Sequence, residues 1–230
     1  MAEGKPWFAA LDSQQRYDRA VHVVDRAIDQ LHEIIGLTET NRILNYSPAI
    51  ASQVPPSYAA NAFNLLQWSM LNYEILRLCA LWDRGSPDRE SILSIVDLVD
   101  DPDVFAVVSA NLCKSEHVTA PNSYVTSQLD RLHKTIRVAR RVSQSKFRRS
   151  LVAFRDSRLA HSLTPKNNPT VATPSPKFGY ERRLLRASVA VIDGLNGTLR
   201  NSSFLFEDSF ENAKYNAEAF WLSAKFSIEN

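Results

Sequence analysis

The feature that most limits what this chain can fold into is an apolar repeat at three and four residues, sustained along the sequence with no competing alternation. Tyr17, Val21, Val24, Ile28, Leu31 and Ile35 make one such stripe, and Gly36 is expected to end that helix. The segment from about Ser57 to Asp83 carries two stripes. Phe63, Leu66, Met70 and Tyr73 form one, and Trp68, Leu71, Ile75, Leu78 and Trp82 form the other. Two apolar sides predict a central helix packed by several neighbours.

Gly85-Ser-Pro87 breaks the chain, a shorter helix is expected at about Arg89 to Val99, and Pro102 and Pro121 punctuate the next region. The longest helix is predicted from about Tyr124 to Ser162. Its core stripe is Leu129, Leu132, Ile136, Ala139, Phe147, Leu151 and Phe154, with Ser143 as the one polar member. Residues 164–178, TPKNNPTVATPSPKF, have no periodicity and are expected to form a Pro-rich loop, long for a compact domain. Two further helices follow, one carrying Leu185, Val189, Ile192, Leu195 and Leu199, the other Phe206, Phe210, Ala213, Ala217 and Phe220. The expected fold is all-α: a single-domain helical bundle over residues 1–230, with long helices near antiparallel.

Composition supports a globular chain with a real core. Of 230 residues, 44% are hydrophobic and 23% charged. No run of apolar residues is long enough to predict a membrane span. The start, MAEGKPWFAALDSQQ, lacks the basic opening and apolar run of a secretory signal, so a cytoplasmic location is expected. Cys79 and Cys113 fit neither a disulfide framework nor a zinc site, and Cys79 reads as core. The formal charge of +2 conceals a strong asymmetry. From Arg131 to His161 ten Lys or Arg face a single acid, Asp156. An excess of this size points to an anionic partner, with nucleic acid foremost. The acidic stretch Asp97, Asp100, Asp101 and Asp103 reads as solvated surface, or as a dock for the basic helix of another chain.

That basic segment ends in FRDSRLAHSLTP, residues 154–165. An arginine six residues ahead of a histidine is a weak pattern alone, because Arg16 and His22, and Arg26 and His32, have the same spacing. His161 is set apart by its place at a helix end, by small neighbours Ala160 and Ser162, and by the loop beside it. Arg155 alone of the three arginines is followed by an acid, Asp156.

RDSRLAHS after a basic helix resembles the signature of the HEPN superfamily: Arg, a polar residue, then His, late in an all-helical bundle. LRLCALWDRGSPDRESILSIVDLVDD, in which a helix ending in Trp82-Asp83 leads into a short Ser91-Ile92-Leu93 helix, resembles the AbiU-type abortive-infection branch. The resemblance runs from about Tyr58 to Leu199. It implies a metal-independent endoribonuclease without a cofactor, acting in phage defence or as a toxin, with a composite site in a homodimer. His161 is then the acid-base residue and Arg155 the phosphate stabiliser. Histidine suits the proton transfers, and a planar guanidinium suits the phosphate.

Asp156 and Arg158 are expected in support, and Arg137, Arg140, Arg141, Arg148 and Arg149 in RNA binding. On an ideal helix Arg155 and His161 stand roughly 120° apart, so they converge only if the helix end unwinds. Two readings stay open beside the enzyme: a non-catalytic module binding RNA or a nucleotide, and a scaffold in a defence operon. An antitoxin or a nucleotidyltransferase is a possible partner.

Overall fold

The computed structural model describes residues 6–54, 56–114, 121–159 and 177–225, and among them every regular element is helical. The order is α1 (Ser13–Tyr46), α2 (Pro48–Ala51), α3 (Tyr58–Leu81), α4 (Ile92–Val99), α5 (Pro102–Cys113), α6 (Pro121–Ser143), α7 (Lys146–Phe154), a π-helical turn (Arg155–Leu159), α8 (Tyr180–Leu199) and α9 (Phe206–Trp221). The all-α expectation holds. Most of the predicted loop at 164–178 lies outside the described residues.

The central helix is α1. Asp12 caps it by accepting from the Gln15 backbone N–H at 2.8 Å, while the Gln15 side chain accepts from the Asp12 N–H at 3.1 Å. It runs 34 residues, about 51 Å, and packs against α3, α4, α5, α8 and α9. Ala20 and Ala27 on its buried face let neighbours approach closely. Gly36 does not end it. The turns beyond Gly36 bury Thr38, Asn41, Ile43 and Leu44, which outweighs the roughly 1 kcal/mol that an interior glycine costs a helix. The helix stops instead where Pro48 removes a donor and starts the short α2.

α3 is central only over its second half. Ile75, Leu78, Cys79 and Leu81 are buried, as is Trp82 just past the helix end, whereas Leu65 and Trp68 are 69% and 61% exposed and Tyr58 is almost wholly so. Leu66 and Tyr73, placed on the first predicted stripe, are exposed as well. The prediction of a two-sided core helix therefore fails for the first half, where apolar residues face outward.

α5 was not anticipated, because Pro102 reads as punctuation. Here it is an N1 proline behind Asp101, whose carboxylate accepts from the Asp103 N–H at 2.9 Å. Pro121 likewise opens α6. The single long helix predicted to Ser162 is two. Ser143, the polar member of the core stripe, turns its hydroxyl onto the Arg140 carbonyl at 2.7 Å, and the chain restarts at Ser145, whose hydroxyl caps the Arg148 N–H. Leu132, Ile136, Ala139 and Leu151 are buried as expected, while Leu129, Phe147 and Phe154 are half-buried.

A buried carboxylate joins α1 to α3. Glu74, 1% exposed, accepts from the Thr38 hydroxyl at 2.6 Å and from the Asn41 amide at 2.6 Å. Burial pushes its pKa up, and the two hydrogen bonds offset only part of that. Because the folded-state pKa is raised, stability is greatest below the ordinary carboxylate range and is lost as pH rises through the folded value. Glu74→Gln is therefore expected to gain on wild type as pH is raised from about 4 to 8, measured by chemical denaturation across that range.

Two glycines give predictions of opposite sign. A Cβ at Gly36 meets nothing within 4 Å, so Gly36→Ala should raise stability by about 0.5–1 kcal/mol. A helix-ending glycine would lose stability instead. At Gly194, where α8 crosses α6, a Cβ runs into the Thr135 side chain. Gly194→Ala should cost about 1–3 kcal/mol. Thermal unfolding of both variants checks the pair.

Candidate active site

Residues 148 and 155 lie seven apart, so α7 and the π-helical turn that continues it project both arginines from one face toward the end of α3. The acceptors waiting there are Trp82 and Asp83. Arg155 Nη1 donates to Asp83 Oδ1 at 2.7 Å, and its Nε donates to Asp156 Oδ1 at 2.8 Å. The other Asp83 oxygen pairs with Arg89 Nη1 at 3.0 Å. One carboxylate thus joins α7 to the segment leading into α4.

The Arg155 and Asp83 side chains are only 19% and 22% exposed. Burial by itself lowers the arginine pKa, but the hydrogen bonds to Asp83 and Asp156 outweigh it, so the guanidinium stays charged. Among the described residues no acceptor takes Nη2.

Arg155 also opens the π-helical turn Arg155–Leu159. Such turns admit an extra residue and often occur at functional positions. His161 lies outside the described residues, as does the Arg158 side chain, so the structure leaves the convergence of Arg155 and His161 unaddressed.

Arg148 was expected on the RNA surface and is instead turned inward. Its Nη2 donates to the Trp82 carbonyl at 2.7 Å and its Nη1 to the Ser143 carbonyl at 3.0 Å. Burial lowers its pKa. These contacts lock the α6–α7 break onto the end of α3. Arg140 is also committed, to Asp97 at 2.9 Å and Asp100 at 3.4 Å. The acidic stretch therefore docks on the basic helix of its own chain. Arg137, Arg141 and Arg149 are exposed, and no acid among the described residues lies within ion-pair distance of them.

The other two Arg–His spacings resolve differently. Arg16 is 8% exposed and donates to the Leu98 carbonyl and to Asp101 at 2.9 Å, tying α1 to the α4–α5 turn. Arg26 pairs on the surface with Asp29 and Glu90. Cys79 is fully buried, and burial pushes its thiol up to about 12, which makes it an inert core residue.

The sequence alone assigns no role to Asp83. The signal it does carry is an acid directly after a core tryptophan, at the end of a helix whose last turns bury Leu78, Cys79 and Leu81. Removing Asp83 strands the Arg155 charge in a partly buried place. A double-mutant cycle between Asp83→Ala and Arg155→Ala should show coupling of about 1–2 kcal/mol in unfolding free energy. Arg89→Ala should couple less to Asp83, because Arg89 is half exposed.

The sequence matches the HEPN family AbiU2 over residues 15–220, from the first turn of α1 to the last turn of α9. No curated protein and no solved structure matches it significantly. With an all-helical bundle and a family match that spans nearly all of it, the chain belongs to the AbiU2 family of HEPN proteins.

Proposed function

We propose that this chain is a metal-independent endoribonuclease acting in abortive infection or as a toxin. The observation that carries the reading is Arg155, the first residue of the RDSRLAHS motif: a guanidinium held on two sides by Asp83 and Asp156, with no acceptor for Nη2 among the described residues. A fixed, charged fork of this kind is what a developing phosphorane needs, since its donors require no reorganisation during reaction.

RNA supplies its own nucleophile. The 2′-hydroxyl attacks the adjacent phosphorus, the 5′-oxygen leaves, and a 2′,3′-cyclic phosphate remains. One proton leaves the hydroxyl and one reaches the departing oxygen. His161 is the residue of the motif suited to these transfers.

The motif holds one histidine, which serves one of the two transfers at a time, and this favours two copies of the motif at one phosphate. The exposed apolar residues of α3, with Leu65 69% and Trp68 61% exposed, supply a surface on which a second copy can pack. Lys134, Arg137, Arg141, Lys146 and Arg149 are the exposed cations that would attract the strand.

Purified wild type, Arg155→Ala and His161→Ala are to be incubated with total RNA in EDTA. Wild type alone should cut, leaving cyclic ends, and each variant should lose about 10²-fold or more in rate. Mixing the two inert variants should restore part of the activity through shared sites. Equal cutting by all three proteins would end the enzymatic reading and leave the RNA-binding module.

A further inference from the structure

Along α6, with Asp100 of the α4–α5 turn at its edge, runs an open groove of about 650 Å³ that Asp130, His133, Arg137, Arg140 and Arg141 line together with the apolar Ile136. On α6 the residues from His133 to Arg141 span about 12 Å and fall within roughly a quarter-turn arc. They form one ribbon along the helix.

His133 is exposed and yet fixed from two sides. Its ring stacks on Phe105 of α5, centroids 4.2 Å apart and planes inclined by 11°. Its Nδ1 lies 3.1 Å from the Leu129 carbonyl oxygen. A carbonyl can only accept, so Nδ1 carries the proton of that bond, and in the neutral ring Nε2 is the acceptor. An exposed surface histidine ordinarily has neither restraint.

The charges of the cleft are also graded. Arg140 is paired with Asp97 and Asp100, which offset its charge. Asp130 stands one turn before His133 and repels an anion from that end. Arg137 and Arg141 are exposed and have no acid within ion-pair distance among the described residues. The positive end of the cleft is therefore the Arg137–Arg141 end, with an oriented hydrogen-bond acceptor beside it.

We infer that this cleft binds the ribose–phosphate backbone of single-stranded RNA, with Arg137 and Arg141 taking phosphate oxygens and His133 Nε2 accepting from a ribose 2′-hydroxyl. The inference rests on reading the chain as directed at RNA, and it adds contacts from residues other than Arg155 and its partners. The 2′-hydroxyl is the group that separates RNA from DNA at a given site. The arginines would bind either strand, and His133 would supply the preference.

The test is fluorescence anisotropy with a short single-stranded RNA and the DNA of the same sequence. It is run in EDTA on the Arg155→Ala background, so that no cutting intrudes. Arg137→Gln/Arg141→Gln should weaken both strands by about tenfold or more and lower the salt slope of log K by about 1.4, at about 0.7 per lost phosphate contact. Removing two charges elsewhere, by Arg183→Gln/Arg186→Gln on α8, should have a much smaller effect. His133→Ala should weaken RNA about fivefold while leaving DNA unchanged, since one hydrogen bond is lost.

The inference is overturned if the Arg155→Ala parent binds neither strand. It is overturned equally if the α6 and α8 double variants behave alike, or if His133→Ala leaves the RNA-to-DNA ratio unaltered. Competition by free AMP as strong as by the oligonucleotide would assign the cleft to a mononucleotide and overturn the strand. If wild type fails to cut RNA while the α6 variants lose binding as described, the ribonuclease reading falls and this one stands. If wild type cuts while the α6 variants lose no binding, the cleft is not the strand's path and the ribonuclease reading stands without it.

Discussion

The fold and the candidate site meet at one corner, where the carbonyl of Trp82 receives Arg148 of α7 and the carboxylate of Asp83 receives Arg155 of the π-helical turn. Trp82 is fully buried, and its indole N–H donates to the Ser188 hydroxyl at 2.7 Å, which in turn donates to the Leu184 carbonyl. The indole is thereby fixed by packing and by a satisfied polar chain reaching into α8. Asp83 follows it directly and inherits that fixity. A guanidinium bonded to Asp83 is positioned by the core and not by a surface loop, which is the condition under which a phosphate-binding group is preorganised. Arg148 makes the corner rigid from the other side, since two backbone carbonyls offset part of what its burial costs.

The same economy governs charge. The basic segment carries a large positive excess in the sequence, but the fold neutralises much of it locally. Arg131 pairs with Asp193, Arg140 with Asp97 and Asp100, and Arg155 with Asp83 and Asp156. Arg148 is turned into the protein. Among the described residues, what remains at the surface is a shorter set on α6 and α7: Lys134, Arg137, Arg141, Lys146 and Arg149. A strand of nucleic acid would meet these cations, and its attraction to them would be sensitive to salt. Net charge along the sequence thus overstates the field, because acids distant in sequence return to the basic helix.

Much of this was legible beforehand, for physical reasons that differ by element. Helix type was legible wherever one face alternates apolar and polar at the helical period, as at Val24, Leu31 and Ile35. Boundaries were not, because a single residue has several uses. Gly36 looks like a terminator and sits mid-helix, since tertiary burial beyond it decides the matter. Pro102 and Pro121 look like breaks and are helix starts. The exposure of Leu65 and Trp68 was hidden because an apolar surface and an apolar core have the same composition. Ser143 did carry a signal: a hydroxyl in a core stripe competes for backbone hydrogen bonds, and the helix breaks beside it. At the site, the local pair Arg155–Asp156 was visible from adjacency. The partnership with Asp83 spans more than seventy residues and has no local trace.

The three arginines that precede a histidine by six residues show why spacing alone carries so little meaning. Arg16 is buried, and its donors go to the Leu98 carbonyl and Asp101, so it is a bolt between α1 and the α4–α5 turn. Arg26 lies in solvent with two surface acids, where pairing contributes little. Arg155 falls between these extremes. It is buried enough that its acids orient it, and open enough that one edge of its fork stays without an acceptor among the described residues. A guanidinium with every donor satisfied has no hydrogen bond left to offer a phosphate, and one without partners has no fixed direction from which to offer it. Partial satisfaction by Asp83 and Asp156 gives Arg155 a direction and leaves Nη2 without an acceptor among the described residues, which is what the proposed phosphate contact would use.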